Sequence, residues 1–174
     1  MHDWKWTGDE RPSWAEEPGA GQESVWDYPR PPRVERVGKR VRVEHAGVVV
    51  ADSDRALRVL ETAGAPTFYI PREDVRTDLL DPETGTSYCE WKGRAVYHDL
   101  EVRGRRVSRA AWSYPEPTPA YSVLVDHYAF YASKLDACFV GEERARPQPG
   151  GFYGGWVTDD LAGPIKGEPG TEGW

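Results

Sequence analysis

Apolar and polar residues alternate through much of the middle of the chain, which is the pattern of half-buried β-strands. The alternation is clearest at 95–102, where every second residue from Val96 onward, including His98, falls on the apolar face. Gly104 provides a turn, and residues 105–114 return as the partner strand. This part of the chain therefore predicts an antiparallel hairpin.

Further strands are predicted at 34–37, 41–45, 48–50, 67–70, 75–80 and 135–140. Gly38-Lys39 indicates a hairpin turn between the first two of these strands, and Ala46-Gly47 indicates a turn between the second and third. The connections are mostly short, which favours antiparallel pairing over a doubly wound parallel sheet. We therefore expect one α+β domain that consists mainly of antiparallel sheet.

Two segments favour a short helix. In the first, Ser53 suits the N-cap, Gly64 suits a left-handed end, and three apolar residues share one face. These residues are Ala56, Leu57 and Leu60. In the second, Thr118 and Pro119 suit the helix start, and apolar residues recur at helical spacing as far as about Tyr131. These residues are Tyr121, Leu124, Val125 and Tyr128.

The two ends of the chain differ from the domain at 33–145. Residues 1–32 and 146–174 are rich in Gly and Pro and show neither strand nor helix periodicity. They hold six of the eight tryptophans, namely Trp4, Trp6, Trp14, Trp26, Trp156 and Trp174. Because disordered segments are poor in aromatic residues, we expect these arms to lie on the domain or on a second subunit. Residues 150–155, which we call the strap, are expected to cross the sheet.

The charge balance limits the kinds of binding partner that the sequence predicts. The 174 residues contain 22 Lys and Arg against 29 Asp and Glu, which gives a net charge of −7. This charge argues against nonspecific binding of the protein to nucleic acid or to an anionic membrane. No apolar run predicts a membrane helix, and the start lacks the layout of a signal peptide, so a cytoplasmic location is expected. The four histidines, His2, His45, His98 and His127, show no metal-ligand spacing, and we expect neither metal nor cofactor.

Several separated motifs resemble the bacterial family called domain of unknown function 427. They are Tyr69-Ile70-Pro71-Arg72-Glu73-Asp74-Val75, Ser87-Tyr88-Cys89-Glu90-Trp91-Lys92-Gly93, Ala111-Trp112-Ser113-Tyr114-Pro115 and Ala129-Phe130-Tyr131. The resemblance covers about 33–145, and 146–156 is similar to the tail of longer actinobacterial members. It implies a β-tent-like fold in which two antiparallel sheets lean together.

The proteins of the β-tent group, among them methionine sulfoxide reductase B, Mss4-type proteins and the thalidomide-binding domain of cereblon, typically hold zinc with two Cys-x-x-Cys pairs. Here Cys89 and Cys138 each stand alone, so a four-thiolate site cannot be built. The family has carried a label that suggests nucleotidyl transfer. The chain has no Gly-rich phosphate loop to support this activity, and Asp52 and Asp54 suit a capping role at the predicted helix start.

Two sets of residues are candidates for chemistry. The first set follows Tyr88 in the sequence. Cys89 is a candidate nucleophile, with His98 or His127 as its base, and Glu90 paired with His98 is a candidate catalytic pair. Lys92 is a candidate cation at the edge of a pocket. The alternatives are a buried apolar Cys89, a solvated Lys92 and a structural His98 held by hydrogen bonds.

The second set is aromatic and comprises Tyr69, Trp91, Tyr97, Trp112 and Tyr114. Rings with a polar tip suit pockets that need an apolar wall and a hydrogen bond, and the alternative is that these rings serve core and cross-strand packing. Arg72 could bind a carboxylate or phosphate, or pair with Glu73 or Asp74 on the surface.

Three functions follow from these candidates. The first is a small-molecule-binding domain with an aromatic pocket between the two sheets, for a polar or anionic ligand. The second is an enzyme that uses Cys89 or the Glu90/His98 pair in the same cleft. The third is an interaction module in which the Trp-bearing arms exchange between subunits to form a homo-oligomer.

Overall fold

The computed structural model describes residues 2–174. The strands are β1 (Glu23–Ser24), β2 (Arg33–Arg36), β3 (Val41–His45), β4 (Val48–Ser53), β5 (Leu57–Leu60), β6 (Thr67–Pro71), β7 (Gly85–Cys89), β8 (Gly93–Val102), β9 (Arg105–Ser113), β10 (His127–Phe130), β11 (Ala137–Val140), β12 (Glu143–Arg144), β13 (Arg146–Pro147), β14 (Trp156–Val157) and β15 (Leu161–Ala162). Helical turns of the 3₁₀ type occur at Val25–Asp27, Arg72–Asp74, Thr77–Leu79 and Pro119–Leu124.

Two antiparallel sheets form the body of the protein. The larger has seven strands in the order β2-β5-β6-β10-β9-β8-β7 and curls into a half-barrel, and the smaller has the order β12-β11-β3-β4. Neighbouring strands in both sheets are antiparallel. The predicted mainly antiparallel β structure is therefore confirmed. No helix in residues 2–174 is long and apolar enough to cross a membrane.

The large sheet has a different apolar cluster on each face, because successive side chains of a strand point to opposite sides. On β6, Ile70 joins the core that the two sheets share, together with Val41 and Val43 of the small sheet. Its neighbour Tyr69 faces the other way and belongs to an aromatic cluster that contains Trp112 but no residue of the small sheet. The face of the large sheet that carries this aromatic cluster is the outer face, turned away from the small sheet.

The first predicted helix is wrong, because residues 57–60 form strand β5 between β2 and β6. Four residues fit either periodicity, and in the folded chain two neighbouring strands satisfy their backbone groups. Ser53 Oγ accepts the N–H of Arg55 at 3.0 Å, so it stabilises a local turn rather than a helix start. The left-handed residue is Ala63, with a φ of 71°, rather than Gly64.

The second predicted helix is wrong beyond its first turns. Pro119 does occupy the first position of a 3₁₀ helix, which ends at Leu124. Asp126 then adopts a left-handed φ of 57°, and the chain continues as β10 between β6 and β9. The apolar positions Tyr121 and Leu124 are buried, as expected for a helix face.

Two strand predictions need correction. The segments 34–37 and 41–45 are extended, but they lie in different sheets, so the hairpin across Gly38 is wrong. Residues 75–80 form helical turns instead of a strand, since Thr77–Leu79 is a 3₁₀ helix. The turn at Ala46-Gly47 and the hairpin of β8 and β9 are confirmed.

Both arms lie against their own chain. Strand β1 of the first arm pairs in parallel with β15 of the second arm. Trp26 is fully buried, with its ring centre 6.0 Å from that of Trp6 and 5.3 Å from that of Trp174. The arm tryptophans therefore form an apolar cluster where the two ends of the chain meet.

Candidate functional site

A cavity of about 520 Å³ lies on the outer face of the large sheet. Strands β6, β7, β8 and β9 form its floor, and residues 151–154 of the strap form part of its wall. The sequence predicted that the candidate site residues line a pocket between the two sheets, whereas this cavity lies on the face of the large sheet opposite the shared apolar core. We call this cavity the outer cavity.

Six of the predicted site residues line the outer cavity: Tyr69, Cys89, Lys92, Tyr97, Trp112 and Tyr114. Their agreement follows from strand geometry, because alternate residues of β8 and β9 share one face of the sheet. The register places Tyr97 opposite Trp112 on these two strands. The family motifs that are far apart in sequence thus meet at a single site.

Lys92 is held in place by the turn between β7 and β8. Gly93 has a φ of 99°, which glycine adopts without strain, and the carbonyl oxygen of Lys92 accepts the N–H of Thr118 at 3.0 Å. The Thr118 hydroxyl also donates to the carbonyl oxygen of Trp91 at 2.6 Å. These bonds fix the backbone from which the Lys92 side chain extends.

The Lys92 side chain is buried but forms no ion pair with any carboxylate in residues 2–174. The residue is 9% exposed, and its ammonium lies 5.8 Å from the centre of the Tyr114 ring. Burial disfavours its charge most strongly, whereas Tyr69, Cys89 and Glu61 favour it to the extent that they are ionised, and the net direction is a pKa of Lys92 above its ordinary value. The outer cavity therefore contains an ammonium group that is not paired with any carboxylate of residues 2–174.

The phenol groups beside Lys92 are neutral hydrogen-bonding groups. Burial raises the pKa of Tyr69 and that of Tyr114. The indole N–H of Trp112 donates to the Tyr69 hydroxyl at 3.3 Å, and the two rings meet edge to face with centres 6.2 Å apart. Trp112 also packs against Tyr131, with ring centres 4.5 Å apart, so the indole forms a rigid aromatic wall.

The strap closes one side of the outer cavity by direct contact with Trp112. A Cβ added at Gly154 would lie 2.1 Å from the Trp112 ring, so the strap backbone rests on the indole. Phe152 of the strap is 80% exposed, and Tyr88 of β7 is 78% exposed. Both line the outer cavity and leave large apolar surfaces open to solvent.

Within residues 2–174, all charged side chains that line the outer cavity are cationic. They are Lys92, Arg109 and Lys134. Arg109 lies over the Tyr97 ring at 4.9 Å, and Lys134 lies over the Tyr131 ring at 5.4 Å. The chain as a whole has a net charge of −7, whereas the charged side chains of the outer cavity are positive. The outer cavity therefore favours the binding of an anion.

Residues 33–141 match the model of the family described as Domain of unknown function (DUF427). This match covers more than half of the 174 residues. The chain belongs to the DUF427 family. No curated protein matches the chain.

The DUF427 domain supplies the floor of the outer cavity, and the strap lies beyond the matched region. The complete cavity therefore needs both the family domain and the second arm. Sequence reasoning missed Arg109, Lys134, Tyr131, Phe152 and Tyr153 as lining residues. The motif Ala129-Phe130-Tyr131 could have identified Tyr131, and the aromatic character of the strap could have identified Phe152 and Tyr153. No feature of the sequence marked Arg109 or Lys134.

Four predicted site residues of the DUF427 domain lie outside the outer cavity. His98 and Arg72 line another cavity, of about 470 Å³, and His98 follows Tyr97 on the opposite face of β8. Glu90 is exposed, and Trp91 packs beside the aromatic cluster. Arg72 is also exposed and forms no ion pair with a carboxylate in the described residues, including Glu73 and Asp74.

The geometry gives Cys89 no base within the outer cavity, because no His, Asp or Glu in residues 2–174 lines it. His98 is engaged elsewhere: it lies 2.8 Å from the carbonyl oxygen of Asp81 through Nδ1 and 2.8 Å from Ser113 Oγ through Nε2. Since a carbonyl oxygen can only accept, Nδ1 carries the proton and Nε2 accepts from the hydroxyl. Burial lowers the pKa of His98, so it is a neutral structural residue.

No group of three or more His, Cys, Asp or Glu side chains is arranged to hold a metal ion within residues 2–174. Cys89 is half-buried and Cys138 is buried in the core. Burial raises the pKa of the Cys138 thiol to about 12. The chemistry that the outer cavity offers is therefore cation, phenol, thiol and aromatic surface.

Proposed function

We propose that the protein binds a small molecule that combines a planar apolar body with an anionic group, in the outer cavity. The observation that carries this proposal is the buried, charged Lys92 with no ion-pair partner in residues 2–174. Burying a charge is costly unless a counter-charge or hydrogen bonds compensate it. A ligand anion supplies that compensation.

The remaining charges agree with an anionic ligand. Arg109 and Lys134 lie where a ligand would enter, and both are exposed. Because opposite charges attract over several ångströms, these side chains increase the encounter rate of anions and repel cations. The three cations of the outer cavity are therefore assigned to charge selection.

The apolar body of the ligand is assigned to the aromatic wall. Trp112 presents a ring held by Tyr69 and Tyr131, and such rigid rings bind planar groups at low entropic cost. The exposed Phe152 and Tyr88 stand on the strap and on β7 and can cover a bound ligand. An aromatic or conjugated acid is the ligand class that satisfies both the wall and Lys92.

We further propose that the two sheets have the β-tent-like arrangement that the family resemblance implies. The support is that both sheets are antiparallel and share one apolar core. The resemblance implies a relationship to the thalidomide-binding domain of cereblon, whose pocket is aromatic, which is consistent with the ligand site proposed here.

The test compares matched aromatic acids and amides. Benzoate, 2-naphthoate and biphenyl-4-carboxylate, each beside its primary amide, are titrated by calorimetry against the wild-type chain, Lys92→Met and the exposed control Lys39→Met. A charge-assisted hydrogen bond contributes about 1.5–3 kcal/mol, so we expect the best acid to bind roughly 10–150-fold more tightly than its amide.

Lys92→Met is expected to remove this preference, and Lys39→Met to retain it. Equal binding of acid and amide by the wild-type chain contradicts the proposal, as does an acid preference that survives Lys92→Met. Failure of all three acids to bind also contradicts it.

A further inference from the structure

The Cys89 thiol lines the outer cavity but has no part in the proposed binding of an aromatic acid. Cys89 is the last residue of β7, the strand at the edge of the large sheet, and it is half-buried. The residue opposite it on β8 is Gly93, which has no side chain to cover the thiol. The thiol is therefore accessible from the outer cavity.

A buried cation lies beside this thiol. Lys92 lines the same cavity, is 9% exposed and forms no ion pair with a carboxylate in residues 2–174. Burial has the largest effect on the pKa of Lys92, and Tyr69 and Cys89 oppose that effect, so the thiol lies close to the ammonium. The outer cavity thus pairs a thiol with a cation that lacks a matching anion.

Two further cations stand at the entrance to the outer cavity. Arg109 and Lys134 line it and are exposed, and no Asp or Glu in residues 2–174 lines it. Because cations attract anions over several ångströms, these side chains raise the local concentration of anionic reagents. An anion that approaches Cys89 therefore meets positive side chains.

Two neighbouring acids lie outside the lining of the outer cavity. Glu90 follows Cys89 in the sequence, but it is exposed and does not line the cavity. Glu61 favours the charge on Lys92, but it does not line the cavity either. Its carboxylate forms an ion pair with Arg30, whose Nε lies 3.2 Å away. Neither acid stands between an incoming anion and the thiol.

We infer that Cys89 is a modification site, which forms a mixed disulfide with an anionic low-molecular-weight disulfide. This inference rests on the proposed function for the recognition of the anionic group. The thiolate Sγ of Cys89 attacks one sulfur of the disulfide, a new S–S bond forms as the original S–S bond breaks, and the other half leaves as a thiolate. Cys89 is oxidised and the released thiol is reduced, so the disulfide is itself the oxidant. Solvent accepts the proton of the thiol, and the step needs no base in the lining of the cavity.

The mixed disulfide competes with an aromatic acid for the outer cavity. Cys89, Lys92 and Trp112 line one cavity of about 520 Å³, so a group attached to the sulfur occupies the space between the cation and the aromatic wall. An excess of a small thiol reverses the exchange and frees this space. Ligand binding in the outer cavity thereby depends on the balance of thiol and disulfide around the protein.

The test compares two disulfides that differ in charge. 5,5′-Dithiobis(2-nitrobenzoate) carries two carboxylates, and the corresponding diamide carries none. The second-order rate of each reaction at pH 8 is followed by the absorbance of the released thiolate, at low and at high salt. Each rate is divided by the rate with N-acetylcysteinamide, an uncharged thiol, which cancels the intrinsic reactivity of the disulfide. Mass spectrometry identifies the modified cysteine.

We expect the wild-type chain to prefer the dianion by about tenfold or more at low salt, since cationic sites raise the encounter rates of anions by roughly 10–10³-fold. The preference should fall at high salt, because salt screens these charges. Cys89→Ser should abolish the reaction of the native chain, since Cys138 is buried in the core. Lys92→Met should reduce the preference, and the exposed control Lys39→Met should retain it.

Equal normalised rates for the dianion and the diamide overturn the inference. This comparison uses the unaltered chain, so it does not depend on the folding of any variant. A preference that is unchanged in Lys92→Met, or a reaction that persists in Cys89→Ser, also overturns it.

The two proposals fail separately. Binding of 2-naphthoate that depends on Lys92, without a charge preference in the disulfide reaction, overturns the modification site and leaves the proposed function intact. A charge preference that depends on Lys92, without binding of any aromatic acid, overturns the proposed function and retains the modification site. Calorimetry on the chain modified at Cys89 tests the competition: we expect 2-naphthoate binding to be lost and to return after reduction with dithiothreitol, and unchanged binding by the modified chain contradicts it.

Discussion

The contact between the strap and Trp112 gives a prediction whose size follows from the structure. In Gly154→Ala, the new Cβ would lie 2.1 Å from one ring carbon of Trp112 and 2.9 Å from two others. Carbon atoms pack comfortably at about 3.5–4 Å, so the indole or the strap must move by roughly 1.5 Å. The φ of Gly154 lies outside the left-handed region, so the expected effect is steric.

Overpacking of this kind costs about 1–3 kcal/mol of unfolding free energy. For a chain of this length, each kcal/mol lowers the midpoint of thermal unfolding by about 2–4 °C, which gives an expected loss of roughly 2–12 °C. Circular dichroism measures this midpoint. Gly38→Ala is the matched control, because nothing lies within 4 Å of its Cβ and its φ is also outside the left-handed region.

A double-mutant cycle with Trp112→Leu tests the assigned cause. If the ring is the obstacle, Gly154→Ala should cost much less in the Trp112→Leu background than in the wild-type background. Equal costs in both backgrounds would refute the reasoning, as would a wild-type cost no larger than that of Gly38→Ala. The same variant should weaken 2-naphthoate binding, since Trp112 forms the wall of the outer cavity.

Two further predictions concern titratable side chains. At pH 8, a thiol reagent should label Cys89 in the native chain and Cys138 only after unfolding, because burial raises the pKa of Cys138 to about 12. Rapid labelling of both thiols in the native chain would contradict this assignment. Because the pKa of His98 is lowered in the folded chain, the unfolded chain binds a proton at this residue more readily than the folded chain does. The contribution of His98 to the free energy of unfolding is therefore present above pH 6.5 and is lost as the pH falls through the pKa of His98 in the folded chain. His98→Gln should therefore flatten the decline of unfolding free energy from pH 7 to pH 5, measured by denaturant titration, and His2→Gln should not; an identical decline in all three chains would disprove the assignment.

Strand periodicity predicted the faces of the central hairpin correctly because the alternation there is long. From Val96 to Val102, a slip of one residue would move every one of these apolar side chains from the inner face of the sheet to the outer face and remove Leu100 and Val102 from the shared core, so one register is strongly preferred. The position of Tyr97 at the outer cavity, with His98 on the other face, follows from the same rule. The two residues of the predicted Glu90/His98 pair do not share a cavity, since Glu90 is exposed in the turn between β7 and β8, whereas His98 is buried and lines another cavity.

Short segments were decided by tertiary pairing. Residues 57–60 lie between β2 and β6, and neither partner can be identified from four residues with an ambiguous pattern. Likewise, the chain after Leu124 becomes β10 because an interior position between β6 and β9 is available to it. Local propensity is a weaker influence than a complete set of backbone hydrogen bonds.

The burial of Lys92 could not be predicted from its neighbours in sequence. It depends on Thr118, which holds the turn, and on Gly154 and Tyr153, which lie about sixty residues away and line the outer cavity with it. The outer cavity itself is complete only when the second arm lies on the domain. Sequence reasoning therefore identified the residues of the floor and missed the charge arrangement that distinguishes the site.

We propose above that Lys92 and Trp112 form one binding site for an aromatic anion. The most direct measurement is the indole N–H signal of Trp112 in a ¹H–¹⁵N spectrum, assigned by its loss in Trp112→Phe, during titration with 2-naphthoate and then with 2-naphthamide. We expect a saturable shift of this signal with 2-naphthoate, little shift with 2-naphthamide at the same concentrations, and no shift in Lys92→Met. A Trp112 signal that stays fixed, or that moves equally with acid and amide, would contradict the proposal.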